Sequence, residues 1–387
     1  MACLLAMTFC NVTLLVRMMP KLRNGYQDFT IYYTSGWLLR NGQASALYDL
    51  ATQYRTQLMF AHVPIRQGPL PYNHPPFEAL LFVPFTLLEY WPAYLVWTAF
   101  NLMMLGVSVT LLRRQFPELA AASPLVVGLG ATAFFPVAMV IMQGQDAILL
   151  LLLFVLAVIF LDRGNDVAAG ALLAGGLFRP HTVVPLVVLL AIRRWRILVG
   201  FAPIALVLAG ISVAIMGWRG PLDYVRFVFR VERTGAGGFS PQAVPNLRGL
   251  AANLPGSSGS GPLIALLILA GSMIVFLVAL RRIRSGQDSM IFSSSLAAVT
   301  TVLVSFHALS YDLTLLLPMV LFLLSTMVNV EGKKINARTI LLVVLLFLTP
   351  LYIFLVIVVN RFSWFALILL WLYLRLLRTP APAEVPA

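Results

Sequence analysis

Charge is what this sequence has least of. Only 11% of its 387 residues are Asp, Glu, Lys or Arg, where a soluble domain carries roughly a quarter. Long stretches hold none, among them Ala147 to Leu161 and Leu263 to Leu280. A helix crossing the hydrocarbon core needs about 20 apolar residues, or about 17 at the short end. The chain therefore reads as all-α, a polytopic helical membrane protein. Its apolar runs do not alternate with polar residues over about ten positions, which excludes a membrane barrel. Cysteine is also scarce. Cys3 and Cys10 lie seven residues apart in the first apolar run, so they share a helix face and form neither a disulfide framework nor a metal spacing. A phosphate-cradling G-x-x-x-x-G-K-[ST] loop is missing. So is a D-x-D pair of the kind that holds a metal-bound nucleotide sugar. These gaps argue against a cytoplasmic enzyme fed by nucleotides. No H-x-x-x-H spacing exists either, so neither a metal nor a cofactor is expected.

What is present is basic. The net charge is +13, which in a soluble chain would suggest nucleic acid. Here Lys and Arg collect in short loops between apolar runs: Arg113-Arg114, Arg193 to Arg196, Arg281 to Arg284, Lys333-Lys334 and Arg375 to Arg378. Short basic loops stay cytoplasmic, so membrane lipids rather than nucleic acid are the expected partners. One threading puts all these loops inside, with both termini cytoplasmic. It has about twelve crossings, near 2–19, 91–112, 122–142, 146–161, 167–178, 181–192, 197–216, 263–280, 290–306, 310–328, 338–359 and 362–378. Residues 167–192 read either as two short crossings or as one re-entrant hairpin. The first run has no convincing cleavage site and reads as a retained helix. Residues 1–380 form a single integral membrane domain, and 381–387 a disordered cytoplasmic tail.

Two long segments, 20–90 and 217–262, then fall on the extracytoplasmic side. In the first, "DFTIYYTSGWLLRNG" reads as a helix stopped at Gly42. "SALYDLATQYRTQLMF" has the apolar spacing of an amphipathic interfacial helix. "PPFEALLFVPFTLL", about 14 residues, is too short to span and reads as a third interfacial helix. The second segment is Gly-, Ser- and Pro-rich loop, in which "NLRGLAANL" is a candidate short helix.

Polar residues cluster on that side. "MQGQDAI" carries Gln145 and Asp146, "FRPHTVV" Arg179 and His181, and "SFHALSYDLT" His307, Tyr311 and Asp312. "YNHPP" carries Tyr72 and His74, while Asp28 and Arg248 lie in the two long loops. Each has a plain structural reading. Asp28 and Asp146 suit helix N-caps, Asp312 suits a pair with His307, Arg179 a snorkel to headgroups, and His74 a turn. Arg226, Arg230 and Arg233 read as one face of a surface helix touching headgroups. The functional reading rests on convergence, because intramembrane and membrane-edge charges are costly.

One reaction suits this set. A glycosidase needs two carboxylates, because its leaving alcohol must be protonated. A sugar leaving from a lipid phosphate needs cations at the phosphate and one base at the attacking hydroxyl. Asp28 fits the base, and Arg179, with His181 or Arg248, fits the phosphate. Tyr32, Tyr72, His74, Gln145, Asp146, His307, Tyr311 and Asp312 are then candidate sugar or acceptor contacts.

At these residues the chain resembles glycosyltransferase family 87. The likeness lies, in order, in "DFTIYYTSGWLLRNGQASALYDL", "YNHPPFEALLFVPFTLL", "QGQDAILLLLL", "AAGALLAGGLFRPHTVVPLVVLLAIRRWR" and "HALSYDLTLLL", over roughly 25–330. It implies a GT-C fold and a polyprenyl-phosphate sugar donor, often carrying mannose. It also implies a lipid or glycan acceptor at the outer leaflet, inversion, no essential metal, and Asp28 as general base. Two departures stand out. Arg179 replaces the family's usual Lys, which keeps the charge and adds a planar fork. Asp146 stands where Asn is commoner. The competing readings are a polyprenyl-lipid flippase or transporter, which would want mid-membrane ionisable groups and often repeats, and an oligosaccharide polymerase or ligase.

Overall fold

The computed structural model describes residues 1–61, 68–253, 262–286, 289–328 and 336–378. The expected tail at 381–387 and the Lys333-Lys334 loop lie outside the described residues. Within them the chain is helical, with no strand.

The elements that matter are α1 (Ala2–Arg23), α2 (Phe29–Arg40), α3 (Leu50–Gln57), α4 (Pro76–Phe82), α5 (Tyr90–Gln115), α6 (Pro124–Ala133) and α7 (Phe135–Gln143). After them come α8 (Ala147–Asp162), α9 (Asp166–Gly175), α10 (Pro180–Ala191), α11 (Ile197–Met216) and α12 (Gly220–Thr234). The last are α13 (Pro262–Arg284), α14 (Met290–Val304), α15 (Leu317–Val328), α16 (Ala337–Phe347) and α17 (Ala366–Arg378). Asn246 caps a short helix, Leu247–Ala251, by accepting from Gly249 N–H.

Five helices among the described residues are long and apolar enough to cross a membrane, or up to seven if each of two bent pairs counts as one span. Every one of the twelve expected crossings falls on helix, but α8, α9, α10 and α14 have only 10 to 16 residues. The bends have a chemical cause. α6 and α7 meet at 59° at Phe134, two residues before Pro136, and proline removes an N–H and clashes with the preceding turn.

Burial sorts the helices. α8, apolar nearly all round, and α14, which buries Ser293 to Ser295 along with its apolar residues, are covered on most sides and form the centre. α1, α11 and α13 leave most of their apolar surface uncovered, with Leu266, Leu267 and Ile274 of α13 each at least 60% exposed. An apolar coat of this extent marks a lipid-facing surface. α9 and α11 touch backbone to backbone: a Cβ at Gly170 would lie 1.9 Å from Ile197 O, and one at Gly200 1.9 Å from Val167 O. Small residues at such crossings let membrane helices close up.

The first long loop differs in one respect from the sequence expectation. α2 is buried on almost every side, from Phe29 to Gly36 and at Leu38. Phe29, Tyr32, Tyr33, Phe82 and Tyr90 pack ring against ring around it. It is a core element rather than a helix floating in the interface, and Gly36 allows it to lie against the backbone of Phe82.

Candidate active site

Several helix ends meet at one end of the bundle. Asp28 precedes α2, the Gln143-Gly144-Gln145 turn joins α7 to Asp146 and α8, and Arg179 precedes α10. A 3-10 turn, Ser310–Leu316, runs into α15. Gly144 makes the tight turn possible. Its φ is +62°, and a Cβ there would meet Phe29 Cβ at 2.7 Å. Trp97 Nε1 donates to Gly144 O at 2.9 Å, and Tyr94 Oη donates to Ile141 O at 2.8 Å.

The turn's two glutamines flank Asp28. The Asp28 N–H donates to Gln143 Oε1 at 3.1 Å, and Gln145 Nε2 donates to Asp28 Oδ2 at 2.9 Å. Asp28 and Asp146 stand at N-cap positions, yet neither side chain caps its helix. On its other side Gln145 Oε1 accepts from Tyr32 Oη and from Arg179 Nη2, both at 2.5 Å. One buried amide thus connects acid and guanidinium.

Arg179 is only 2% exposed, so the sequence expectation of a snorkelling arginine gives way to a buried one. Its Nε donates to Asp146 Oδ1 at 2.6 Å, Nη2 reaches the same oxygen, and Nη1 donates to Asp312 Oδ1. Of the five N–H donors of a guanidinium, these contacts and the one to Gln145 take four. The fifth, on Nη1, is left for the cavity. Tyr311 lies 5.1 Å beneath the guanidinium carbon.

The local Asp312–His307 pair expected from the sequence does not form. Asp312 Oδ2 instead accepts from Leu309 N–H at 2.7 Å, which turns the carboxylate towards Arg179. A buried guanidinium needs ionised partners, and Arg179 takes both Asp146 and Asp312. His307 pairs elsewhere: its Nδ1 lies 2.6 Å from Glu232 Oε1, and Arg248 Nη1 donates to Glu232 Oε2 at 2.7 Å. Arg248 also donates to Phe306 O. Phe239 stacks on the His307 ring at 5.0 Å, and the His181 ring lies 5.6 Å away.

These groups enclose a cavity of about 300 Å³. Asp28, His74, Gln145, Arg179, His181, His307 and Tyr311 line it. Tyr224, Val228, Val231 and Glu232 of α12 form one wall. Tyr32, Tyr72, Asp146 and Asp312 stand behind the lining, and Arg248 stands behind Glu232, Phe239 and Phe306 of the lining. His181 Nε2 is buried with no hydrogen-bond partner. Burial pushes His74 down to about 4, so at neutral pH its imidazole is uncharged. Burial also raises the Tyr32 hydroxyl well above its usual range, which keeps it a donor.

Glu78 and Glu232 were not singled out in the sequence. Glu78 lies 2.8 Å from His74 Nδ1 and accepts from Tyr72 Oη at 3.3 Å. Among the described residues, His74, Glu78 and Asp146 are the group whose donor atoms converge closely enough to suit a metal ion, all within 4.8 Å.

The architecture defines a multi-helix membrane protein with a polar, acid-and-arginine cavity at the end of an apolar bundle. A family model, glycosyltransferase family 87, matches residues 72–305, more than half of the chain. The chain belongs to that family and is a membrane glycosyltransferase. Asp28 and α2 precede the matched span, and His307, Tyr311 and Asp312 follow it. No curated protein and no solved structure matches.

Proposed function

We propose that the chain moves a sugar, mannose or another hexose or pentose, from a polyprenyl-phosphate donor to a hydroxyl of a lipid or glycan acceptor. The reaction takes place at the extracytoplasmic face. Asp28 Oδ takes the acceptor's proton as the acceptor oxygen attacks the anomeric carbon. The bond from that carbon to the phosphate oxygen breaks, polyprenyl phosphate departs, and the configuration inverts. The departing phosphate is already a good leaving group, so cations rather than a general acid are required. The free N–H of Arg179 suits that task, and the partnerless His181 Nε2 beside it can add a neutral hydrogen bond. Tyr311 and His307 line the cavity and would touch sugar or acceptor hydroxyls, and Arg248 would act from behind the lining, through Glu232.

One observation carries the reading. Asp28 and Arg179 face the same cavity and are joined by Gln145, which hydrogen-bonds to both. A base and a phosphate cation held at fixed separation by a buried amide form the kind of preorganised pair that lowers a transfer barrier. The test is purified protein incubated with a panel of polyprenyl-phosphate sugars and read for released polyprenyl phosphate, beside an Asp28→Asn variant. Release with one donor, lost in the variant, supports the reading. Lipid scrambling in vesicles with no glycoside formed would replace it with a flippase.

A further inference from the structure

Three buried carboxylates meet one guanidinium behind the cavity wall. Glu78, Asp146 and Asp312 are each at most 3% exposed, and Arg179 is the cation that pairs with the last two. Ionised, the set carries two surplus negative charges. Buried charge without a counter-charge is costly.

The unmet hydrogen bonds converge on the same spot. His74 Nδ1, Glu78 Oε1 and Asp146 Oδ2 are all buried atoms with no hydrogen-bond partner. Buried polar groups normally find one, and an orphan calls for a reason such as an ion. His74 Nδ1 and Glu78 Oε2 are 2.8 Å apart, yet that contact does not give the nitrogen a hydrogen bond. Arg179 holds Asp146 through Oδ1 alone, which leaves Oδ2 free.

We propose that His74, Glu78 and Asp146 bind one divalent cation. One imidazole nitrogen with two carboxylates suits a borderline metal, Mn²⁺ or Zn²⁺, better than an all-oxygen ion such as Mg²⁺. The cation ties Glu78 of α4 and His74, in the turn just before it, to the start of α8. It cancels the surplus charge of the three acids. It sits behind His74 and takes no part in bond making. The proposal does not depend on the sugar-transfer reading.

The experiment uses the full chain in detergent, stripped with chelator and then titrated with Mn²⁺, with free Mn²⁺ read by electron paramagnetic resonance and Zn²⁺ by metal analysis. We expect one equivalent bound and a higher unfolding temperature with metal. Because losing an outer partner of a metal ligand already costs about 10- to 100-fold, Glu78→Gln and His74→Gln should weaken binding at least tenfold. Both should also lose the metal-induced rise in unfolding temperature. Glu232→Gln, outside the cluster, should bind as wild type. No stoichiometric binding by the wild-type chain, or binding indifferent to both ligand substitutions, overturns the proposal and leaves shared protons to balance the carboxylates.

Discussion

Two clusters of acids and arginine flank the cavity. Around Arg179, the side chains of Asp146 and Asp312 are at most 1% exposed and that of Arg179 2%. Around Glu232, the side chain of Arg248 is 21% exposed and that of His307 16%. The chemistry is similar, but solvent separates their consequences. Water can re-solvate Arg248 if its partner moves, so that cluster can rearrange when a ligand arrives. Arg179 is almost wholly enclosed by its partners, so its contacts are fixed before any ligand comes. The first cluster positions the site, and the second is able to adapt.

The sharpest way to break that comparison is Arg179→Ala. Removing one partner from a buried ion pair costs about 3–5 kcal/mol, so the variant should unfold much earlier in denaturant, read by intrinsic fluorescence in detergent. Stability equal to that of Arg248→Ala would erase the distinction. Asp28→Asn belongs to neither cluster and should separate chemistry from folding. Loss of a general base lowers transfer by about 10²- to 10⁴-fold, while its unfolding curve should overlay wild type. Transfer near the wild-type rate would reject Asp28 as the base. Gly144→Ala tests the turn that links the acid to the buried cluster. Its positive φ and the 2.7 Å approach to Phe29 should cost about 1–3 kcal/mol as an overpacked site, measured by the same unfolding assay. Smallest is Arg248→Ala, at about 1 kcal/mol or less for a partly exposed pair. Its effect should show mainly as a raised acceptor KM with little change in kcat.

The helices were legible in the sequence because hydrocarbon runs and basic loops are local signals. So was the convergence of polar turns at one end, since each sits at a helix boundary. The pairings were not legible. Arg179 meets Asp146 and Asp312 across 33 and 133 positions, and Glu232 meets His307 across 75. Nothing within a few residues announces such contacts. Asp312 shows the hazard of local inference: His307 was near in sequence, but the 3-10 turn rotates the carboxylate towards the buried cation. Glu78 did leave a trace, as a lone acid inside "PPFEALLFVPF" four residues after a histidine, although His74 sits in the turn before the helix and not on it. Glu232 left none among its arginine neighbours. The burial of α2 was also hidden, because an aromatic segment suits both a core and an interface.

The brevity of the hairpin leading to Arg179 bears on where a lipid would have to go. α9 has ten residues and α10 twelve, spanning about 15 and 18 Å at 1.5 Å per residue, beside a hydrocarbon layer of about 30 Å. If the basic turn at Arg193 to Arg196 marks one membrane surface, the guanidinium lies well below the opposite one. A donor phosphate bound there, as the proposed reaction requires, would sink beneath the level at which its neighbours float, and the bilayer beside the cavity would dip or admit water. The proposed isoprenoid tail would then leave sideways among the acyl chains, and transfer should run faster in thin membranes than in thick ones.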